Sequence, residues 1–556
     1  MQVVLSNSAQ TLAFCYTVPM KYTRIKLHGN YHEIGPQVVG LSGASRKHDV
    51  RLDYLLETMH WIMRNKKCTT VLIERGPQFS ASAFGALESI RGCLVRLRQA
   101  GKQVIYYAPE YSAADCYLSS ACNQRIMHPV GMLAFRGFAA SSVFFQRLMK
   151  KQGIDAEIIR RGRYKGAADP FRTSEFDSYS REQLQQLMDE LILQWRESLQ
   201  TQDGLAAETI DKLLGGAVFT AEQAQQTGFI HRTAVLDDIC EEFADRKVKP
   251  AQPKKMRGHF GRGATIAVLV FEGGIVDGSS RNDPMLGQMI GDAAFVKEIH
   301  ALRKNKKIKA VVLRINSGGG SAIASDTIVH ELERLNEAKP LIVSMGPVAG
   351  SGGYWIATAG RKVFAQQSTI TGSIGVVALF FQLQKLLHKY GIDADVVKHG
   401  QSADMGSMLR PMSEDERSEM DRLIEHMYQQ FLHRVAAFRG LTVEQVHALG
   451  EGRLWIGSAA KTHALIDDVG DVHDAVAHAA ELIGAQKYRL SFGPQIKQPW
   501  LMRMLAERGA ESRATADLTS AAAPLRAAES AAALHGRRLL WDPVLSLVPY
   551  ILATHR

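Results

Sequence analysis

Cysteine is scarce in this 556-residue chain and absent from its second half. The six present, Cys15, Cys68, Cys93, Cys116, Cys122 and Cys240, form no CxxC pair. That excludes a disulfide framework and fits a reducing compartment. Long apolar runs are missing too: no stretch reaches the ~20 residues that a membrane-spanning helix needs. The first residues, "MQVVLSNSAQTLAFCYTVPMK", lack the basic start and long apolar core of a secretory signal. The nearest apolar stretch, "LLWDPVLSLVPYILA" near the C-terminus, is interrupted by Asp542, Pro543 and Pro549. It reads equally as a membrane-surface segment or as a docked tail. P-loop and dinucleotide glycine fingerprints do not occur, and neither does zinc-finger spacing, so no metal and no cofactor is expected. The net charge of +11 is spread along the chain without an RNA-binding signature. This points away from nucleic acid and toward a mildly basic soluble protein. With 46% apolar and 22% charged residues the composition is that of a globular protein, long enough for several domains.

What the chain does have is an internal repeat. "FFQRLMKKQGIDAEIIRRG" (144–162) faces "FFQLQKLLHKYGIDADVVKHG" (380–400), with GIDA at 153–156 and again at 391–394, an offset of 238. "CYLSSAC" (116–122) faces "YWIATAG" (354–360) at the same offset, and "GGAVFTAEQA" (215–224) faces "EGRLWIGSAA" (451–460) at 236. The chain therefore reads as a tandem duplication. Residues 1–247 form the first copy and 264–494 the second, joined by a Lys-, Arg-, Gly- and Pro-rich linker at 248–263. An Ala/Arg-rich tail, 495–556, reads as mobile or as lying on a membrane surface.

In the second copy, strand-like and helix-like segments alternate. Strands are expected at 264–275, 307–317 and 340–346, and helices at 292–305 and 321–338. This predicts parallel βαβ units with right-handed crossovers. Two glycine-rich turns follow successive strands, "NSGGGSA" (316–322) and "GSGGYW" (350–355). Backbone amides at such turns are free to bind an anion, and glycine lets a substrate approach closely. Gly319 and Gly352 are the candidate donors of an oxyanion hole. A single loop of this kind would read as a tight turn. Two on adjacent strands, one carrying Ser351, favour catalysis.

A serine needs a proton acceptor, and no histidine lies nearby in the chain. At the repeat offset, Ser351 matches Ala113, and Lys165 of the first copy, in "RRGRYKGAADPF", matches Ala403. One copy keeps the serine and the other keeps the lysine. Alone, Lys165 would read as a surface lysine; the complementary loss makes it the candidate general base for Ser351, provided its amine is neutral. Arg160, Arg161 and Arg163 flank it and are expected to help depress its pKa if they lie close.

With "NSGGGSAIASD", "GSGGYWIATAG", "STITGSIGV", "GRYKGAADPF" and "GRLWIGSAA" in place, the chain resembles the signal peptide peptidase A (protease IV) family in its long, duplicated form, over residues 40–490. The resemblance implies a tandem duplication of a Clp-protease/crotonase-like α/β domain and a serine peptidase with a Ser–Lys dyad shared between the copies. It carries Ser351 over as nucleophile, Lys165 as general base, and Gly319 and Gly352 as oxyanion donors. It carries Ser373 over as a serine that orients the lysine, although a capping hydroxyl is the other reading of that residue. It further implies apolar peptide substrates such as released signal peptides, a homotetramer, and membrane association. With no spanning helix or signal found, a cytoplasmic site is the alternative. The family's SPGG is Ser317-Gly318-Gly319-Gly320 here, and loss of that proline is expected to loosen the loop. An acyl-CoA enzyme of the crotonase type and a non-proteolytic membrane scaffold are the competing functions.

Overall fold

The computed structural model describes residues 21–35, 49–76, 78–81, 83–135, 137–200, 205–243, 258–283, 287–494 and 551–552. Two parallel sheets organise them. The first runs Lys21–Leu27, Cys68–Arg75, Gln103–Ala108, Gln124–Met127, Arg232–Thr233 in spatial order. The second has the same path at its centre: Ala264–Glu272, Ile308–Ser317, Leu341–Gly350, Lys362–Ala365, Asp468–Val469. The duplication read from the sequence is thus repeated in space, each copy an α/β unit built on a parallel sheet.

The second sheet shows why its sequence was readable. Ile308–Ser317 and Leu341–Gly350 are almost continuous apolar runs, buried along nearly their whole length. Covered on both faces, such strands suit the interior of a parallel sheet. The helix Ala322–Ala338 begins where expected, because the Ser321 hydroxyl accepts the Ala324 amide at 3.2 Å.

Two elements differ from the sequence reading. The run 264–275 breaks into Ala264–Glu272 and Gly274–Val276. Gly273, at φ +136, makes the break, and a Cβ there would lie 2.4 Å from the Gln288 carbonyl. The end of the basic segment at 248–263 is not a free linker. His259–Gly261 forms an antiparallel edge strand against Tyr488–Gly493. The rest of that segment, 248–257, lies outside the described residues. So does the tail, except that Ile551–Leu552 pairs antiparallel with Ala140–Ser141.

The copies share one core. Phe84, Leu87 and Trp195 of the first cluster with Ile342, Phe364 and Val476 of the second. Gly85 permits the close approach, since a Cβ there would lie 2.6 Å from Pro347 Cα. Two ion pairs bridge the junction, one half-buried and one fully buried. Arg96 grips Asp471 through two hydrogen bonds of 2.6 and 2.9 Å. Arg314, 1% exposed, donates to both carboxylate oxygens of Glu33 at 3.0 Å. Arg314 also donates to the Met345 carbonyl at 2.8 Å, tying together the two strands that lead to the glycine turns. Breaking one partner of such a pair leaves a buried charge uncompensated, so the junction tolerates little drift.

Candidate active site

The site is built where one strand of each copy meets the other. Asp155–Arg161 of the first copy pairs antiparallel with Val376–Gln382 of the second. The chain leaving the first strand turns at Gly162 and carries Lys165 inward. Tyr164 and Gly452 hold that turn. The Tyr164 amide donates to the Glu451 carbonyl at 2.9 Å. Gly452, at φ +78, lies so close that a Cβ would sit 2.6 Å from the Lys165 backbone nitrogen and Cβ. The lysine of one copy therefore rests on a glycine of the other.

Lys165 Nζ stands 3.0 Å from Ser351 Oγ, 2.9 Å from Ser373 Oγ and 2.9 Å from the Ser373 carbonyl. Its side chain is 6% exposed. Burial alone lowers its pKa from the ordinary 10.5 to about 7, because the charged amine loses its hydration. The flanking arginines do not contribute as expected. Arg160 pairs with Asp169 and Asp177, Arg161 with Asp421 and Glu425, and Arg163 with Glu451. Each positive charge is answered by a carboxylate, so little of their field reaches the amine.

Ser351 closes the strand Leu341–Gly350 and opens the helix Gly352–Ala357 at φ +52, a left-handed backbone uncommon for a non-glycine residue. Ser373 shares that φ. The Ser351 amide donates to the Gly372 carbonyl at 2.9 Å, which fixes the turn. Strained residues held this way cluster at functional sites.

Opposite stands the 317–320 turn. Gly319, at φ +105, packs against Ser351 and Gly352; a Cβ there would lie 2.7 Å from the Gly352 nitrogen. The Gly319 amide is occupied, donating to Ser317 Oγ at 3.1 Å. Among the described residues the Gly320 and Gly352 amides donate no hydrogen bond. Gly320 also sits beside Gly352, since a Cβ on Gly352 would lie 3.3 Å from the Gly320 nitrogen. Gly319, the expected donor, and Gly320 thus both stand beside Gly352, the first with its amide on Ser317 Oγ. The Ser317 hydroxyl braces the turn where the family motif has a proline.

Sequence reasoning missed Gly320, Ser317 and Gly452. For Gly320 a signal existed, as the third glycine of "SGGG". For Ser317 and Gly452 there was none, because the first acts within a turn of unknown shape and the second across the copies. A cavity of about 240 Å³ opens over these groups. Its walls are mostly apolar: Val348, Trp355, Val376, Phe380, Met420 and Phe431 line it beside Ser351, Lys165 and Ser373.

Comparison with known proteins bears on this arrangement. The model of Peptidase family S49 matches twice, over residues 96–249 and 333–486. The chain belongs to peptidase family S49. Relatives include Protease 4 of Salmonella typhi, 30% identical over 519 residues, spanning 88% of this chain and 81% of that protein. Protease 4 of Haemophilus influenzae is 30% identical, over 74% of this chain and 69% of its own length. The chloroplastic serine protease SPPA of Arabidopsis thaliana is 29% identical over 72% of this chain, which spans 61% of that relative's length. The Clp protease model matches residues 285–371, the stretch that holds both glycine turns and Ser351. A solved ClpP1 from Listeria monocytogenes aligns at 16% identity and TM-score 0.23 over 37% of this S49 chain and 92% of its own.

Proposed function

We propose that this S49 chain is a serine endopeptidase that degrades apolar peptides, cleaved signal peptides among them, with Ser351 as nucleophile and Lys165 as general base. The observation that carries this reading is the 3.0 Å approach of a buried amine from one copy to the hydroxyl of the other. With a pKa of about 7, half the amines are neutral near pH 7. A neutral amine has two N–H bonds and one lone pair. The Ser373 carbonyl can only accept, so one N–H serves it, and the second serves Ser373 Oγ. The lone pair is left for the Ser351 hydroxyl proton.

The steps follow. Ser351 Oγ attacks the peptide carbonyl as its proton passes to Lys165. The oxyanion is held by the Gly352 amide and a second amide of the 317–320 turn. Lys165 protonates the leaving amine, and water, deprotonated by the same lysine, hydrolyses the acyl-enzyme. Ser373 keeps the amine aimed throughout. The apolar walls suit apolar side chains, and an extended peptide would add as a strand beside the groove. Assembly of copies into a homotetramer and action at a membrane surface belong to the same reading. Among the described residues no helix is long and apolar enough to cross a membrane.

The test is peptidase assay of the wild type beside Ser351→Ala and Lys165→Ala, on casein and on a signal-peptide substrate. Labelling by a fluorophosphonate probe is measured on the same samples. The reading requires both variants to be folded and inactive, and the label to sit on Ser351. Full turnover by Lys165→Ala removes the base assignment. An unlabelled wild type that turns over acyl-CoA would make it a crotonase-type enzyme instead.

A further inference from the structure

The amine of Lys165 belongs to the first copy, and both hydroxyls it faces belong to the second. These parts must be held in register, since a displacement of about 1 Å at a reacting group can cost ~10²-fold in rate. Residues 451–456 of the second copy touch all of them. The Glu451 carbonyl accepts the Tyr164 amide, and Gly452 packs on Lys165. The Arg453 carbonyl accepts the Ser373 amide at 2.7 Å. Leu454–Ile456 pairs antiparallel with Ile370–Gly372, and the Gly372 carbonyl receives the Ser351 amide. Two side chains tie this segment to the first copy. The Arg453 guanidinium carbon lies 4.7 Å from the centre of the Tyr164 ring and 5.0 Å from that of Trp455, close enough for both faces to attract its charge. Arg453 also donates to the Tyr164 hydroxyl at 3.3 Å, and to Glu182 at 3.2 Å and Gln186 at 2.5 Å on the helix Ser178–Gln200. Gln183, 1% exposed on the same helix, donates to the Tyr164 carbonyl at 3.2 Å and accepts the Leu454 amide at 3.3 Å. A buried side-chain amide used at both ends fixes the spacing of the two backbones it joins.

The repeat singles out the same residues. Tyr164 and Lys165 match Ser402 and Ala403 at the offset of 238, and Arg453 matches Ala217 at 236. Gln183 matches Asp415 at 232, the offset at which "MDELI" (188–192) faces "MDRLI" (420–424). Ser402 has no ring, Ala217 has no polar side chain, and an ionised Asp415 can only accept. The three interlocking residues therefore stand together only at the junction where the serine and the lysine meet. We propose that Arg453 and Gln183 are positioning residues of the Ser351–Lys165 pair: through Tyr164 on one side and the backbone of residues 453 and 454 on the other, they hold the amine between Ser351 and Ser373 and keep it buried. Tyr164, Gln183 and Leu454 line the cavity beside Lys165, so the clamp is also the wall behind the amine.

This rests on the proposed dyad, and the experiment separates the two. Full-length wild type, Arg453→Met, Arg453→Lys, Gln183→Leu and Lys165→Ala are compared in kcat and KM on a signal-peptide substrate. The pH dependence of Ser351 labelling by a fluorophosphonate is measured on the same samples. Arg453→Met and Gln183→Leu are expected to lose about tenfold or more in kcat with KM little changed. Their labelling midpoint is expected to move upward from the wild-type value, because water reaching the amine favours its charged form. A loss of stability alone would move neither reading in the folded fraction. Arg453→Lys keeps the charge but loses the planar fork that serves three partners at once, and is expected to follow Arg453→Met. Folded Arg453→Met with wild-type kcat and midpoint overturns the clamp. So does full recovery in Arg453→Lys, which would leave charge alone as the cause. Should Arg453→Met fail to fold, Gln183→Leu and the milder Tyr164→Phe carry the same readings with the same expected directions. An inactive Lys165→Ala beside a wild-type-like Arg453→Met leaves the dyad standing without the clamp. Wild-type turnover by Lys165→Ala removes the dyad and the clamp with it.

Discussion

The two copies follow one strand path, yet the helix turns that follow the corresponding strands are capped in one and uncapped in the other. In the first copy the helix Ala113–Ser119 starts with Ser112, whose hydroxyl accepts the Asp115 amide, while the Asp115 carboxylate accepts the Ser112 amide at 2.8 Å. The Asp115 amide of that first turn is thereby taken by the helix's own cap. In the second copy the positions of Ser112, Ala113 and Asp115 are Gly350, Ser351 and Gly353. No side chain caps the helix Gly352–Ala357. Among the described residues its leading amide is left without a partner, as the proposed oxyanion hole requires. Capping stabilises a helix by about 1 kcal/mol; leaving it off forgoes that stability and makes a binding site. Duplication allowed one copy to become a stable frame holding the lysine, while the other kept the open turn.

Giving the second copy what the first has should break this contrast. The largest loss is expected from Ser351→Ala and Lys165→Ala, at least ~10³-fold in kcat with unchanged folding, by analogy with removal of other catalytic pairs. Next is Gly353→Asp, which restores the first copy's carboxylate at the turn. Its Cβ would lie 2.7 Å from the Ser317 carbonyl, which forces the 317–320 turn away from the Gly352 amide. Loss of one oxyanion donor costs ~10²-fold or more, so peptidase assay should show at least that. Gly452→Ala pushes a methyl into Lys165 and strains φ +78; a fall of about tenfold or more in kcat, with KM little changed, is expected from misplacement of the amine. Asp115→Ala should cost more than the ~1 kcal/mol of a cap alone and leave kcat untouched, since the buried carboxylate also accepts the Tyr106 hydroxyl at 2.7 Å and pairs with Arg75; denaturant unfolding checks it. Gly318→Pro should raise the unfolding free energy by no more than ~1 kcal/mol, read from denaturant unfolding, restoring the family proline in a turn that Ser317 also braces.

Stability should carry the same signature of the buried amine. The folded pKa, about 7, lies below the ordinary 10.5. Between those values the unfolded chain binds the extra proton, so stability rises with pH. The cost is full below pH 7 and fades toward pH 10.5. Lys165→Met should therefore stabilise most in unfolding measurements below pH 7, by up to a few kcal/mol, and least above pH 10.

Much of this contrast was legible in the residues. The strands Ile308–Ser317 and Leu341–Gly350 were readable because sheets covered on both faces demand unbroken apolar runs. The nearness of Lys165 to Ser351 was readable because two copies can be compared position by position and each had lost what the other kept. Contacts across the copies were not. The carboxylates that answer Arg160, Arg161 and Arg163 lie on other elements, two of the three sets in the second copy, so the arginines seemed placed to act on the lysine. Nothing near Arg314 in the sequence marks its partner, because Glu33 lies 281 residues away. Gly320 rather than Gly319 as the free amide depends on the hydroxyl of Ser317, a detail of turn geometry that spacing does not encode.

The most direct measurement is the pH dependence of Ser351 labelling by a fluorophosphonate, in the wild type and in Lys165→Ala. A buried amine from one copy acting on the hydroxyl of the other predicts a wild-type rate that rises with a midpoint near pH 7, and a variant rate that is slow and has lost that midpoint. An unchanged rate and midpoint in Lys165→Ala would contradict it.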